Sequence, residues 1–232
     1  MRPPAAAAVI PARNEAELLP ATLRALSSIP NLSPILVVDD GSTDGTAAAA
    51  RALGARVLCS APPGSPGDKG RALRLGLLAA RAQAPGAPVL LADADLGASA
   101  AHLASLLAAL GPRHPAAVAA FPRKAAARGG FGLVKRLARR EISRRTGYRP
   151  GEPLSGQRAL LPEALDALPG LAPGFGAEVG MTLDLLSRGL VPLELPLPLA
   201  HRPTGKTPAG FAHRARQGRD VLRALRGERL PW

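Results

Sequence analysis

The stretch Ile35-Leu36-Val37-Val38-Asp39-Asp40-Gly41-Ser42-Thr43-Asp44-Gly45-Thr46 decides how this chain folds. Ile35–Val38 is an unbroken apolar run with three β-branched residues, and it stops abruptly at two aspartates. A strand without polar alternation is one buried on both faces, as in a parallel sheet covered by helices. Gly41 and Gly45 permit a tight exit turn, and Ser42 or Thr43 can cap the Ala-rich, helix-prone Thr43–Leu53. A strand therefore feeds a helix through a polar turn. The same unit recurs on either side. Ala6–Ile10 is apolar and precedes helical spacing over Ala16–Leu26, and Ala55–Leu58 precedes a helix over Gly70–Arg81. Val89–Ala92 is a further strand, ending at Asp93. Strands of four or five residues alternating with helices predict an α/β fold with a mostly parallel, Rossmann-like sheet. Ligands of such sheets bind outside the carboxyl ends of the strands. Each of those ends is polar here: Arg13-Asn14-Glu15, Asp39-Asp40 and Asp93-Ala94-Asp95.

The 232 residues are 47% hydrophobic and 20% charged, which suits a packed core and excludes a disordered chain. Cys59 is alone, so there is no internal disulfide framework and no cysteine-rich zinc site. No apolar run approaches the roughly 20 residues of a membrane span. The opening MRPPAAAAVIPARNE is too short and too soon polar for a signal peptide, and a soluble cytoplasmic protein is expected. The net charge of +13 is unevenly placed. Residues 1–122 carry ten Lys/Arg against eight Asp/Glu, whereas 123–232 carry 20 against nine, and 123–149 holds ten cations with the single acid Glu141. A basic second half beside an acidic strand edge suits an anionic substrate held partly by a metal. Only four of the 30 cations are lysine, so part of the charge is compositional arginine bias, and a solvated helix face accounts for a charge cluster equally well. Aromatics at 3% leave few platforms for stacking single-stranded nucleic acid, so no specific nucleic-acid partner is expected.

Beyond 123 the pattern is less regular. Leu133, Val134, Leu137 and Ile142 form the apolar stripe of a basic amphipathic helix, and Pro150–Ser155 breaks it. A helix is predicted over Ala177–Arg188 after the Pro173–Gly176 turn, and another over Phe211–Arg226. Leu190–Leu199 is interrupted by prolines, which confines it to a sheet edge. With no repeat and no linker, one domain is expected over 1–232.

Asp93-Ala94-Asp95 places two carboxylates at a strand end, an arrangement able to hold a hard divalent ion that keeps open positions for phosphates, or to cap a helix. Asp44 suits an Asx-turn and helix cap. No G-x-G-x-x-G follows the first strand, and the loose Walker match at Ala200–Thr207 follows a proline-broken strand, so both phosphate-loop readings fail. Three motifs in register, V-I-P-A-R-N-E at 9–15, V-V-D-D-G-S-T-D-G-T at 37–46 and D-A-D-L at 93–96, resemble the family 2 glycosyltransferases and their GT-A fold. Within them, G-D-K-G-R-A-L at 67–73, P-L-S-G at 153–156, P-G-F-G-A-E-V-G at 173–180 and A-H-R at 200–202 are similar to the glucosyl-3-phosphoglycerate synthase branch.

The resemblance implies a division of labour, with 1–122 binding a nucleotide sugar and 123–232 the acceptor. Pro11, Ala12, Asn14 and Glu15 would line the nucleotide pocket, with Glu15 on the ribose or base. Asp40 would meet uracil beside Asp39, and Lys69 would reach the diphosphate or base side. Asp93 and Asp95 would hold ribose and a divalent metal, Mg²⁺ or Mn²⁺, with Asp95 the better ligand and His201 completing the site. Arg202 would assist at the diphosphate, and Ser155 and Gly156 would contact substrate. Glu178 would orient or deprotonate an acceptor hydroxyl. The implied reaction moves a sugar from a uridine-diphosphate donor such as UDP-glucose to a small anionic acceptor, 3-phosphoglycerate among them.

Departures gather at the acceptor side. Gly129-Gly130-Phe131-Gly132-Leu133-Val134 lacks the arginine and threonine of the relatives' Gly-Gly-Arg-Val-Thr, leaving Arg128, Lys135 or Arg136 as substitutes. Gln157-Arg158 follows Ser155-Gly156 where a glutamate follows the glycine in those relatives. The alternative is a transferase using polyprenyl phosphate, with 133–145 on anionic lipid. A sugar-phosphate nucleotidyltransferase would need a glycine-rich first loop that P-A-R-N-E does not supply. Peripheral membrane contact and a homodimer are both compatible with the sequence.

Overall fold

A computed structural model of the chain describes residues 6–121, 132–200 and 208–232, with the side chains of 208–214 outside that description. Seven strands form one sheet: β1 (Ala6–Ala12), β2 (Leu32–Asp40), β3 (Arg56–Ala61), β4 (Val89–Leu91), β5 (Ala116–Ala120), β6 (Arg158–Leu160) and β7 (Leu193–Pro196). Their order is β3-β2-β1-β4-β6-β5-β7. The first four strands of that order run parallel, β6 runs antiparallel to β4 and β5, and β7 is a parallel edge strand on β5. Parallel pairing, continuous apolar strands and the proline-bearing edge all follow the sequence pattern.

Helices cover both faces: α1 (Leu19–Ser27), α2 (Thr46–Ala52), α3 (Lys69–Gln83), α4 (Ala104–Ala108), α5 (Gly132–Thr146), α6 (Pro162–Asp166), α7 (Ala177–Ser187) and α8 (Pro208–Leu225). Alternate residues of β1 face opposite layers, a consequence of the two-residue strand period. Ala8 and Ile10 join Leu19, Leu23, Leu26 and Leu103 on one side, while Ala7 and Val9 join Leu73, Leu77 and Met181 on the other. A third cluster, Ala138, Ile142, Val179, Val221 and Leu225, binds α5, α7 and α8 together. Leu133 departs from the expected stripe: it is 73% exposed, and Ala138 takes the buried place one turn from Ile142.

Antiparallel β6 positions the site. Because Leu91 pairs with Arg158, the chain entering β6 lies beside the chain leaving β4. Ser155, Gly156 and Gln157 thereby reach Asp93 although 62 or more residues separate them in sequence. At the other strand exits, α2 starts without the expected Ser42 or Thr43 cap. Gly45 is its N-cap residue and has no side chain to cap with, while the Ser42 hydroxyl accepts from the backbone N–H of Asn14.

Candidate active site

The first and second polar turns are laced into one floor. The Asn14 N–H donates to Ser42 Oγ at 3.0 Å, and the Thr43 N–H returns a bond to Asn14 Oδ1 at 2.8 Å. Glu15 N–H donates to Thr46 Oγ1 at 2.9 Å. Asp44 accepts from the N–H groups of Thr46 and Ala16, the Asx-turn expected of it plus a tie to the first turn. Asn14 takes a left-handed conformation, φ +53°, which asparagine tolerates better than most residues. Pro11 and Ala12 end β1 and lead into this floor.

Asp39 and Asp40 are buried, 8% and 5% exposed. Asp39 Oδ1 accepts the Ser42 N–H at 2.9 Å and so shapes the turn. The Asp40 carboxylate accepts from Ser60 Oγ at 2.6 Å, the Asp68 N–H at 2.5 Å and Arg71 at 3.3 Å. Arg13 reinforces the same region by donating to the carbonyls of Asp40 and Ser65. Asp40 thus anchors the segment that launches α3.

Asp68 is the link sequence reading missed. It caps α3 by accepting the Arg71 N–H at 3.0 Å, and the same oxygen accepts the Gly174 N–H at 2.8 Å. Its place before the helical Lys69 was the available signal, since Asp is a preferred N-cap. Gly70 allows the approach, because a Cβ there would lie 2.2 Å from the Ala172 carbonyl oxygen. Lys69 and Glu178 are thereby brought together from helices α3 and α7.

Lys69 Nζ lies 2.7 Å from Asp93 Oδ1 and 2.7 Å from Glu178 Oε1. Burial works against its charge, but the negative charges of Asp93 and Glu178 outweigh that and hold the ammonium above the usual lysine range. Gln157, fully buried, donates from Nε2 to Asp93 Oδ2 at 2.5 Å and accepts from Ser155 Oγ at 3.1 Å. Gly156 lets the strand pass close by: a Cβ there would sit 2.8 Å from Asp93 Oδ1 and 2.9 Å from Lys69 Nζ. Behind this group Arg158 is 1% exposed, bound to Ser155 O at 2.9 Å and Thr182 Oγ1 at 3.0 Å. Burial pushes its guanidinium down to about 10, opposed by Glu178, Glu194 and Tyr148. It therefore stays charged at neutral pH. Lys69 and Arg158 against Asp93 and Glu178 make two cations face two anions. Gln157 and Arg158 entered the sequence reading only as departures.

The donor chemistry fits a divalent ion of the Mg²⁺ or Mn²⁺ type, which needs one or two carboxylates and completes its shell with phosphates and water. Both Asp93 oxygens accept hydrogen bonds from the protein, and Asp95 stands two residues on at the same strand exit. No group of three His, Cys, Asp or Glu side chains suited to a metal occurs among the described residues. His201, Arg202 and Arg128 lie outside the described residues, as does the Walker-like stretch beyond Ala200.

The basic helix α5 is less free than its composition suggests. Lys135 pairs with Glu152 at 2.5 Å, and Arg139 donates to the carbonyls of Pro150 and Gly151. Arg144 and Arg145 reach Glu141, and Arg145 also donates to Leu225 O. These cations hold the loop 147–156 and helix α8 in place. No helix among the described residues is long and apolar enough to cross a membrane.

Comparison with known proteins agrees with this architecture. The family model for glycosyl transferase family 2 matches residues 7–166. Glucosyl-3-phosphoglycerate synthase of Mycobacterium tuberculosis (strain ATCC 25618 / H37Rv) is 31% identical over 206 residues, 78% of this chain and 60% of that protein. The synthase of Mycolicibacterium paratuberculosis is also 31% identical, over 78% of this chain and 59% of its own. The chain thus spans about 60% of the length of these curated relatives. Among solved structures, the M. tuberculosis synthase with Mn²⁺, UDP and glucosyl-3-phosphoglycerate superposes with a TM-score of 0.76 at 28% identity, covering 96% of this chain and 78% of that one. The same synthase with Mn²⁺, UDP-glucose and phosphoglyceric acid gives 0.74 at 29% identity with the same coverage. Its complex with Mg²⁺ and UDP gives 0.72 at 28%, again over 96% and 78%.

Proposed function

This chain belongs to glycosyl transferase family 2, and from that membership we propose that it carries out metal-dependent transfer of a hexose, glucose first, from a uridine-diphosphate sugar to a small anionic acceptor of the phosphoglycerate kind. The observation that carries the proposal is the ion cluster Asp93–Lys69–Glu178, assembled from three distant segments at the carboxyl edge of the sheet. The relatives' complexes with UDP-glucose, Mn²⁺ and phosphoglyceric acid supply the substrate class. Residues 1–122 take the donor part and 123–232 the acceptor part.

In such a transfer the bond from the anomeric carbon to the diphosphate oxygen breaks, and an acceptor oxygen, losing its proton, takes the carbon. Negative charge gathers on the departing diphosphate. A divalent ion bound through Asp95 and His201 would neutralise part of it. Lys69 adds a fixed ammonium beside the same turn, already oriented by two carboxylates and so needing little rearrangement. Glu178 locks Lys69 and stands at the acceptor side, where its carboxylate would orient the acceptor hydroxyl or take its proton. Gln157, backed by Ser155, holds the second Asp93 oxygen, and Gly156 leaves the room in which Asp93 meets Lys69. The floor formed by Pro11, Ala12, Asn14, Glu15 and Asp39-Asp40 receives the nucleoside, and Arg202 assists at the diphosphate.

The test is direct. The purified chain with UDP-glucose and Mn²⁺ is given 3-phosphoglycerate or, separately, polyprenyl phosphate in vesicles. UDP release is followed, the product weighed by mass spectrometry, and the anomeric configuration read by proton NMR. Release that depends on phosphoglycerate and on metal is the expected result. Failure of the chain to bind or cleave any UDP-sugar sinks the proposal, and use of the lipid phosphate alone replaces its acceptor. Vesicle flotation and light scattering on the same preparation test membrane contact and the homodimer.

A further inference from the structure

Helix α1 carries one buried polar side chain in an otherwise apolar inner face. Thr22 is 0% exposed among Leu19, Leu23 and Leu26. Valine has the same shape and would fill that space without the cost of burying a hydroxyl, so packing alone does not account for threonine. Its hydrogen bonds do. Thr22 Oγ donates to the Ala94 carbonyl at 2.8 Å, across 72 residues of sequence, and accepts the Gly97 N–H at 2.8 Å. The carbonyl of its own helix, Leu18 O, is farther at 3.4 Å. A hydroxyl has one proton to give, and the shorter bond to Ala94 takes it.

Ala94 and Asp95 form the turn that leaves β4, and Gly97 opens the 3-10 segment that follows, so the Ala94 carbonyl and the Gly97 N–H flank Asp95. Here the Thr22 hydroxyl stands between them, and Asp95 lies inside the turn. Asp93, one residue before it, is fixed by Lys69 and Gln157. Helix α1 also packs against the 3-10 segment Gly97–Leu103 that leaves this turn.

We propose that Thr22 is a positioning residue for Asp95: its hydroxyl, bridging Ala94 and Gly97, holds the turn at the width that presents the Asp95 carboxylate to a divalent ion. The inference rests on the function proposed above. An outer group that orients a ligand is worth about 10- to 100-fold in metal affinity when removed.

Thr22→Val keeps the shape and removes the hydroxyl, and Thr22→Ser keeps the hydroxyl and removes the methyl. Calorimetric titration of UDP at graded Mn²⁺ is the measurement, with thermal melts of the metal-free proteins alongside. Thr22→Val is expected to raise the half-saturating Mn²⁺ about 10-fold or more, to leave metal-free UDP binding unchanged and to give a cooperative melt. Thr22→Ser is expected to stay within about threefold of the parent. Should Thr22→Val fail to fold, Thr22→Ala carries the same comparison. Folded Thr22→Val with unaltered Mn²⁺ dependence overturns the inference, as does a Thr22→Ser variant impaired as severely as Thr22→Val. A parent chain whose UDP binding ignores Mn²⁺ overturns the proposed function itself, which separates the two failures.

Discussion

Lys69 shows how much depends on single atoms at this site. Replacing it by methionine leaves Asp93 and Glu178 without their shared cation, and removing one partner of a buried pair costs about 3 kcal/mol or more. Lys69→Met should therefore lower the urea midpoint as well as abolish transfer, read by denaturation and by UDP release. Gly156→Ala makes a different prediction. Its new methyl would meet Asp93 Oδ1 at 2.8 Å and Lys69 Nζ at 2.9 Å, so it should spread the ion pair and, as a misplacement of about 1 Å can, reduce kcat/KM about 100-fold. The melting temperature should fall by only a few degrees. Asp93, Lys69 and Glu178 were readable as motif residues. Gln157 was not readable as their partner, because an amide between two carboxylate-bearing segments has no spacing of its own in the sequence.

At the scale of elements, the turn that delivers Glu178 is held from behind. The N–H of Phe175 donates to Asp220 in α8, and Gly170 and Leu171 meet the chain at Leu230. Arg229 makes a two-pronged bond to Asp184 of α7, both arms 2.7 Å, with each side chain largely buried. Arg229→Ala should cost about 2 kcal/mol of stability, typical of a charge-assisted bidentate bond. It should leave kcat/KM of the folded fraction nearly unchanged, since it touches no part of the site. Helix α5 carries the same lesson for charge: its cations are mostly ties to Glu141, Glu152 and nearby carbonyls. Its charge reads in sequence as a surface for anions, yet much of it serves to fasten loops.

For the whole molecule the consequence is linkage. Mn²⁺ with UDP at about 100 times the dissociation constant should stabilise the chain by about 2.7 kcal/mol. For a chain of 232 residues that raises the melting temperature by about 5–10 °C. UDP with a chelator should give a much smaller shift, and Asp95→Asn should lose the metal-dependent part while melting normally without ligand. Differential scanning fluorimetry reads all three. The net charge of +13 adds an ionic-strength dependence that fixed salt removes from the comparison.

The amino-acid sequence by itself determined the layered α/β plan, the parallel strands, the proline-marked edge and the polar strand ends. These follow from local periodicity: a strand buried on both faces must be apolar throughout, and it must turn polar where it leaves the core. It also carried the three motifs by which the family is known. Only the tertiary structure decided that β6 runs antiparallel, and so that Gln157 and Gly156 stand against Asp93. It alone put the Asp68 side chain across to Gly174, the Thr22 hydroxyl into the Ala94–Gly97 turn and the α5 arginines onto their own loops. Each of these is a contact between segments remote in sequence, fixed by packing and by the need to pair buried polar groups, and no local pattern records such a choice.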